Sequence, residues 1–218
     1  MIEYHKIDSV YLRDPETKFR TFLDGQWTTD AFAYLANLEW TWTEKIDGTN
    51  VRIGWDGKTV QIGGRTKDAQ MPMFLLERLN VMFPAELMAT VFPDISDGRE
   101  IILFGEGYGA KIQKGGVYLP DRCDFILFDV LAHAGADQSW LSRTNVEDVA
   151  LKLGIKIVPV VGSGPLTAAI DLVCSGLLSE VATTPGTKAE GLVMRPAVDL
   201  LDRRGRRVIT KVKAKDFA

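Results

Sequence analysis

The chain has 218 residues, of which 46% are hydrophobic and 25% charged, enough for a sizeable core and too apolar for a disordered segment. Its formal net charge of −3 excludes the strongly basic character of a domain that holds nucleic acid by bulk charge. No apolar run approaches the roughly 20 residues of a membrane span, and Met1-Ile2-Glu3-Tyr4-His5-Lys6 lacks the apolar stretch of a secretion signal. A soluble, cytoplasmic protein without a membrane partner is expected. The two cysteines, Cys123 and Cys174, lie far apart with no CxxC spacing, so both are expected as buried thiols rather than as a disulfide or a zinc site.

In chain order, residues 38–45 and 50–55 are rich in Trp, Thr, Val and Ile and read as strands. Trp55-Asp56-Gly57-Lys58 supplies a two-residue Asp-Gly hairpin turn into a further strand over 59–63. Met73 to Val91 is helical in pattern, with Pro84 restarting a second helix. Ile101 to Gly105 and Asp124 to Val130 are short apolar runs of the kind that form buried strands. Thr144-Asn145-Val146-Glu147 has the form of a capping box opening a helix, and Gly154 suits its end. A helix over 167–176, a strand over 191–194 and a last strand over 207–213 complete the reading. No repeat, low-complexity linker or compositional break divides the chain, so residues 1–218 are expected to form a single domain of the α+β class built on antiparallel sheets.

The residues able to carry chemistry sit at strand ends. Glu44-Lys45-Ile46-Asp47-Gly48-Thr49-Asn50 sets a lysine before an Asp-Gly turn and a polar amide. Such a lysine is ordinarily solvated, and it attacks phosphorus only as the free amine. Ile62-Gly63-Gly64-Arg65 ends a strand in glycines and a guanidinium. Gly105-Glu106-Gly107 closes an apolar strand with a carboxylate between glycines, which permit close approach of a ligand. In Phe125-Ile126-Leu127-Phe128-Asp129, alternation puts Phe125 and Leu127 on one face and Phe128 on the other; one aromatic suits purine stacking, and core packing is the ordinary role. Glu190 leads the run Gly191-Leu192-Val193-Met194. In an extended strand Lys211, Lys213 and Lys215 fall on one face, where like charges repel unless an anion such as a triphosphate compensates them.

Taken in order, these segments resemble the collinear motifs of the covalent nucleotidyltransferase superfamily, which comprises ATP-dependent DNA ligases, RNA ligases and mRNA capping enzymes. Lys45-Ile46-Asp47-Gly48 looks like the nucleophile motif KxDG, Gly105-Glu106-Gly107 like the third motif, and Asp124 to Val130 like the aromatic strand that follows it. Glu190-Gly191-Leu192-Val193 resembles the fourth motif and Lys211-Val212-Lys213 the fifth. Asn50, the Gly64-Arg65 strand end and the Phe125-to-Asp129 pattern are most similar to RNA ligases of the RNA ligase 2 type.

The resemblance implies an ATP-grasp-like ligase catalytic domain, two packed and mostly antiparallel β-sheets with flanking helices. It implies that Lys45 forms a lysyl-AMP from ATP, that Asn50 and Arg65 contact the nucleotide, that Glu106 holds the ribose and that Phe125 stacks on adenine. Asp47, Glu106 and Glu190 are implied to organise Mg²⁺ or Mn²⁺, while Lys211 and Lys213 bind phosphates. AMP would pass to a 5′-phosphate end that is then joined to a 3′-hydroxyl, on RNA or a nicked duplex. Only five residues follow Lys213, so no C-terminal accessory domain is expected, and an accessory protein is the alternative source of substrate binding. The rival readings are a minimal DNA ligase, a GTP-using capping enzyme, and a non-catalytic module that binds nucleic-acid ends.

Overall fold

The protein is described from a computed structural model covering residues 1–96 and 98–217. In chain order the strands are β1 (Asp8–Ser9), β2 (Tyr11–Arg13), β3 (Phe22–Trp27), β4 (Trp40–Lys45), β5 (Thr49–Trp55), β6 (Val60–Gly63), β7 (Arg99–Gly109), β8 (Cys123–Ala134), β9 (Asp137–Trp140), β10 (Lys156–Ile157), β11 (Val160–Gly164), β12 (Gly191–Pro196) and β13 (Thr210–Lys213). The helices are α1 (Asp30–Leu35), α2 (Met73–Met82), α3 (Ala85–Val91), α4 (Arg143–Leu153) and α5 (Leu166–Cys174). The chain divides into two compact units, Met1–His5 with Asp47–Val158, and Lys6–Ile46 with Pro159–Ala218. Each has its own sheet and its own apolar core, and the expected α+β class holds.

The first unit is built on a six-stranded sheet in the order β10-β8-β7-β5-β6, with β9 paired to β8. All its pairings are antiparallel except β10 with β8. Strand alternation sends Val51, Ile53, Leu103, Phe125 and Leu127 to one face, where Leu75 and Leu79 of α2 and Val146 and Val149 of α4 close over them. Asn50, Arg52, Phe104, Glu106 and Ile126 take the opposite face by the same parity.

The second unit carries a five-stranded sheet in the order β1-β13-β12-β4-β11, parallel only between β1 and β13. Trp40, Trp42, Leu192, Met194 and Val212 turn to one face and pack with Leu166, Ala169, Ile170 and Val173 of α5. Trp40 and Trp42 are therefore core residues. Val10, Tyr11 of the β2–β3 hairpin and Phe32 of α1 join this core.

Several local expectations shift. The β5–β6 loop runs over four residues, 56–59, because Trp55 pairs with Val60. Asp56 Oδ1 accepts from the backbone N–H groups of Lys58 and Thr59 and shapes that wider turn. Helix α4 starts earlier than the capping box suggests: Ser142 is its cap, accepting from Asn145 N at 3.4 Å, and Glu147 instead pairs with Arg143 at 2.7 Å. Pro84 does restart the helix, standing at the N-terminus of α3. The last strand begins at Thr210 rather than 207, and Lys215 lies in the 3-10 turn Ala214–Phe217, off the strand's alternation. Cys123 is buried as expected, but Cys174 is exposed, because α5 turns Ile170 and Val173 to the core and leaves the next position outside.

Gly105 is a tight packing point of the first core, since a Cβ there would overlap the Phe125 ring and the Ile126 carbonyl oxygen. Gly105→Ala is expected to destabilise the protein by about 1–3 kcal/mol through overpacking, read as a lower urea midpoint at unchanged slope. An unchanged midpoint would show that this ring has room to move.

Candidate active site

In the second unit, Lys45 ends β4, Gly191 opens β12 and Lys213 ends β13, and pairing puts all three in one row across the sheet. The middle position must be glycine: φ is +156° at Gly191, and a Cβ would overlap the Val212 carbonyl oxygen. Glu190, just before this row, bridges the two lysines. Lys45 Nζ donates to its Oε2 at 2.6 Å and Lys213 Nζ to its Oε1 at 2.6 Å. Burial works against the charged form of Glu190, but the two ammonium groups outweigh it and hold the carboxyl below the usual glutamate range. Lys211 lies two residues back on the same strand face as Lys213, opposite Val193 and Ser9.

The neighbouring Glu44 points the other way and fixes the approach to Glu190. It is 2% exposed and accepts from Ser179 Oγ at 2.5 Å and from Glu180 N at 2.9 Å. Ser179 Oγ in turn accepts from Val181 N and Ala182 N, so the loop between α5 and β12 is pinned to the strand that carries Lys45. Burial raises the Glu44 carboxyl, and the Ser179 and Glu180 donors pull against that rise.

In the first unit, Asn50 and Glu106 are direct cross-strand partners on one face. Asn50 Oδ1 is buried without a hydrogen-bond partner among the described residues, an acceptor whose desolvation they leave uncompensated. Asp47 donates its backbone N–H to Tyr118 Oη at 3.2 Å, which anchors the turn. Gly48 has no space for a side chain, as a Cβ would overlap Glu106 Cγ and the Gly107 carbonyl oxygen. Arg65 follows β6 as an exposed guanidinium with no hydrogen bond or ion pair among the described residues.

Phe125 requires correction. It is fully buried, on the sheet face opposite Asn50 and Glu106, with its ring edge-on to Phe83 at 5.3 Å. Its place is the core, and no face is open to a base. The glycines flanking Glu106 likewise make room inward, Gly105 for the Phe125 ring and Gly107 for Leu75, rather than for a ligand.

The residues that sequence reasoning passed over share the Asn50–Glu106 face. A bulge in β8 falls at Phe128, between the pairs Gly105–Leu127 and Phe104–Asp129. The Tyr4 ring meets Phe104 at 4.9 Å and Phe128 at 5.1 Å, and its hydroxyl donates to Asp129 Oδ2 at 2.8 Å. Arg52, 2% exposed, donates to the Gly64 carbonyl at 2.6 Å and to the Ile2 carbonyl at 3.0 Å. The alternation that separates Phe128 from Phe125 was the available signal for the first; nothing local announces Tyr4, which lies in the Met1–His5 stretch far away in sequence.

The family model described as RNA ligase matches residues 38–213. The chain belongs to the RNA ligase family. That match runs from just before β4 to the end of β13 and so takes in every motif above. Among solved structures, a variant of Naegleria gruberi RNA ligase with ATP and Mn superposes with TM-score 0.66 at 16% identity, over 97% of this chain and 56% of that one. The same ligase with pyrophosphate gives 0.65 at 16% identity, over 97% and 56%. A further variant with AMP and Mn gives 0.62 at 16% identity, over 98% and 55%. This RNA ligase family member thus spans little more than half the length of those chains, with which it shares the nucleotidyltransferase fold. No curated protein sequence matches it.

The bridge has a pH signature. Its folded carboxyl releases its proton more readily than the unfolded one, so its stabilisation is full above the ordinary glutamate range near about pH 4.3 and is lost as pH falls through the lower folded value. Glu190→Gln is expected to cost about 1.5–3 kcal/mol at neutral pH, a gap from the native protein that narrows in urea unfolding as pH falls below 4.5. A gap that stays constant through acid would contradict the bridge.

Proposed function

We propose that this family member is an ATP-dependent RNA ligase in which Lys45 is the nucleophile. The observation that carries the reading is the Glu190 carboxylate holding Lys45 and Lys213 at 2.6 Å each, within a chain that belongs to the RNA ligase family. In the first step the Lys45 amine gives up a proton and its nitrogen bonds the α-phosphorus of ATP, while the bond to pyrophosphate breaks on the opposite side. Lys213 and Lys211 stabilise the charge that develops on the phosphates. Glu190 is suited to orient Lys45 beforehand and to accept from it as its charge changes.

In the second step a 5′-phosphate oxygen of the nucleic acid attacks the bound AMP phosphorus, breaking the nitrogen–phosphorus bond and restoring Lys45. In the third a 3′-hydroxyl attacks the activated 5′-phosphorus, releasing AMP and sealing the ends. Residues 1–218 are proposed to work as one adenylation domain.

On the nucleotide, Glu106 is assigned to a ribose hydroxyl, Asn50 to a donor that satisfies its buried Oδ1, and Arg65 to a phosphate. The purine platform is assigned to Phe128, the aromatic of the 124–129 segment on the Asn50–Glu106 face, in place of Phe125. Asp47, Glu106 and Glu190 are hard oxygen donors of the kind that hold Mg²⁺ or Mn²⁺. No cluster of three or more His, Cys, Asp or Glu fit to hold a metal occurs among the described residues. Mg²⁺ is commonly held by one or two carboxylates together with water and substrate phosphates. Such an ion, when bound, neutralises the triphosphate. The Naegleria structures with ATP, AMP and Mn support this nucleotide and metal choice.

Incubation with radiolabelled ATP and magnesium is expected to give a protein adduct that is stable in alkali and labile in acid, as a phosphoramidate is, and that Lys45→Ala abolishes and labelled GTP does not produce. Labelling from GTP instead would point to a capping enzyme, and no labelling from either to a non-catalytic end-binding module. Nicked duplexes with an RNA-terminated 3′ strand are expected to be sealed faster than all-DNA nicks; the reverse order would make the chain a DNA ligase.

A further inference from the structure

A groove of about 720 Å³ opens in the second unit between β1, β2, the 14–21 loop, β13 and the closing 3-10 turn. Among the described residues six cationic side chains line it, Lys6, Arg13, Arg20, Lys211, Lys213 and Lys215, against two acids, Asp8 and Asp216. In a chain of net charge −3, so local an excess of positive charge calls for an anion. Asp216 relieves little of it: 1% exposed, it is taken up by Arg13 at 2.8 Å and by the backbone N–H of Lys213 at 3.2 Å. Lys6, Arg20 and Lys215 are exposed and make no ion pair among the described residues.

The groove also holds an aromatic that packing does not explain. Phe19 lines it with 61% of its surface exposed. Lys18 and Phe19 both adopt left-handed backbone, φ 57° and 61°, uncommon for side chains other than Gly, Asn or Asp. Hydrogen bonds hold them there: Phe19 N donates to the Asp14 carbonyl at 2.9 Å, Lys18 N to the Pro15 carbonyl at 3.0 Å, and Asp14 N to the Thr21 carbonyl at 3.0 Å. The loop therefore presents a bare ring beside a cationic track, the combination by which single strands are held through their phosphates and bases. Lys213 belongs both to this groove and to the bridge that holds Lys45, so a ligand lying in it ends beside the proposed nucleophile.

We propose that this groove is a strand-binding site, in which Lys6, Arg20 and Lys215 contact backbone phosphates of the polynucleotide and Phe19 stacks on one of its bases. A free triphosphate is the poorer occupant, since it has no use for a ring so far out or for cations spread over the volume of a whole nucleotide. The choice of a polynucleotide rests on the ligase reading; the groove and its chemistry do not.

The test is binding of a 5′-phosphorylated single-stranded RNA oligonucleotide to the full chain by fluorescence anisotropy across a salt series, with adduct formation from labelled ATP measured on the same samples. Lys6→Ala with Arg20→Ala is expected to weaken RNA binding by at least tenfold and to flatten the log–log salt dependence by about 1.4, at roughly 0.7 for each single-strand phosphate contact. Phe19→Ala is expected to weaken it about tenfold with the salt slope unchanged. Adduct formation is expected to be unaffected in all of them, which also reports that the variants are folded. Native RNA affinity and salt slope in the double variant would overturn the proposal. So would a raised ATP requirement for the adduct with RNA binding intact, which would make the groove a nucleotide-phosphate pocket. A chain that made no adduct, yet bound RNA through Lys6 and Arg20, would sink the ligase reading and sustain the groove.

Discussion

One carboxylate organises an edge of the second unit's sheet. Glu190 takes a hydrogen bond from Lys45 on one side and from Lys213 on the other, and it does so because β12 runs between β4 and β13. Two ammonium groups drawn to one point repel each other, and without an anion between them the arrangement would be costly. Gly191 makes the row close enough for a single carboxyl to reach both. Glu44, buried on the reverse face of β4, ties down the loop that delivers Glu190. Adjacent residues of one strand thus face opposite ways: Glu44 fixes the backbone from the core side, and Lys45 meets Glu190 on the other face.

The first unit shows the same division by strand parity. Its six-stranded sheet sends Val51, Leu103 and Phe125 under the helices and presents Asn50, Arg52 and Glu106 on the other face. The glycines around Glu106 serve this arrangement from behind, since they let the Phe125 ring and Leu75 approach the sheet and so fix where Glu106 stands. The space left by the absent side chains of Gly105 and Gly107 is filled by the core.

Much of this was legible in the chain. The Trp40–Lys45 and Thr49–Trp55 strands, the helix restart at Pro84, and the shared face of Lys211 and Lys213 follow from alternation and backbone chemistry alone. The order of the short motifs pointed to the family that residues 38–213 match. Phe125 was misread because a period of two gives two faces without saying which one the helices cover, and the bulge at Phe128 then shifts the phase. The N-terminal segment was the least legible. Its strands are short, β1 has only two residues, and it gains meaning by pairing in parallel with β13 some two hundred positions later. Lys6, Arg13 and Arg20 look like scattered surface charge until that pairing brings them to one groove with Lys211 and Lys213.

The proposed chemistry requires Lys45 to be the nucleophile toward phosphorus rather than one more cation beside Glu190. Mass-spectrometric peptide mapping of the protein after incubation with ATP and magnesium addresses this directly. One AMP is expected on the peptide containing Lys45, localised by fragmentation to that side chain and removed by excess pyrophosphate as the first step runs backwards. AMP mapped to Lys211, Lys213 or any other residue, or an adduct that pyrophosphate cannot reverse, would contradict it.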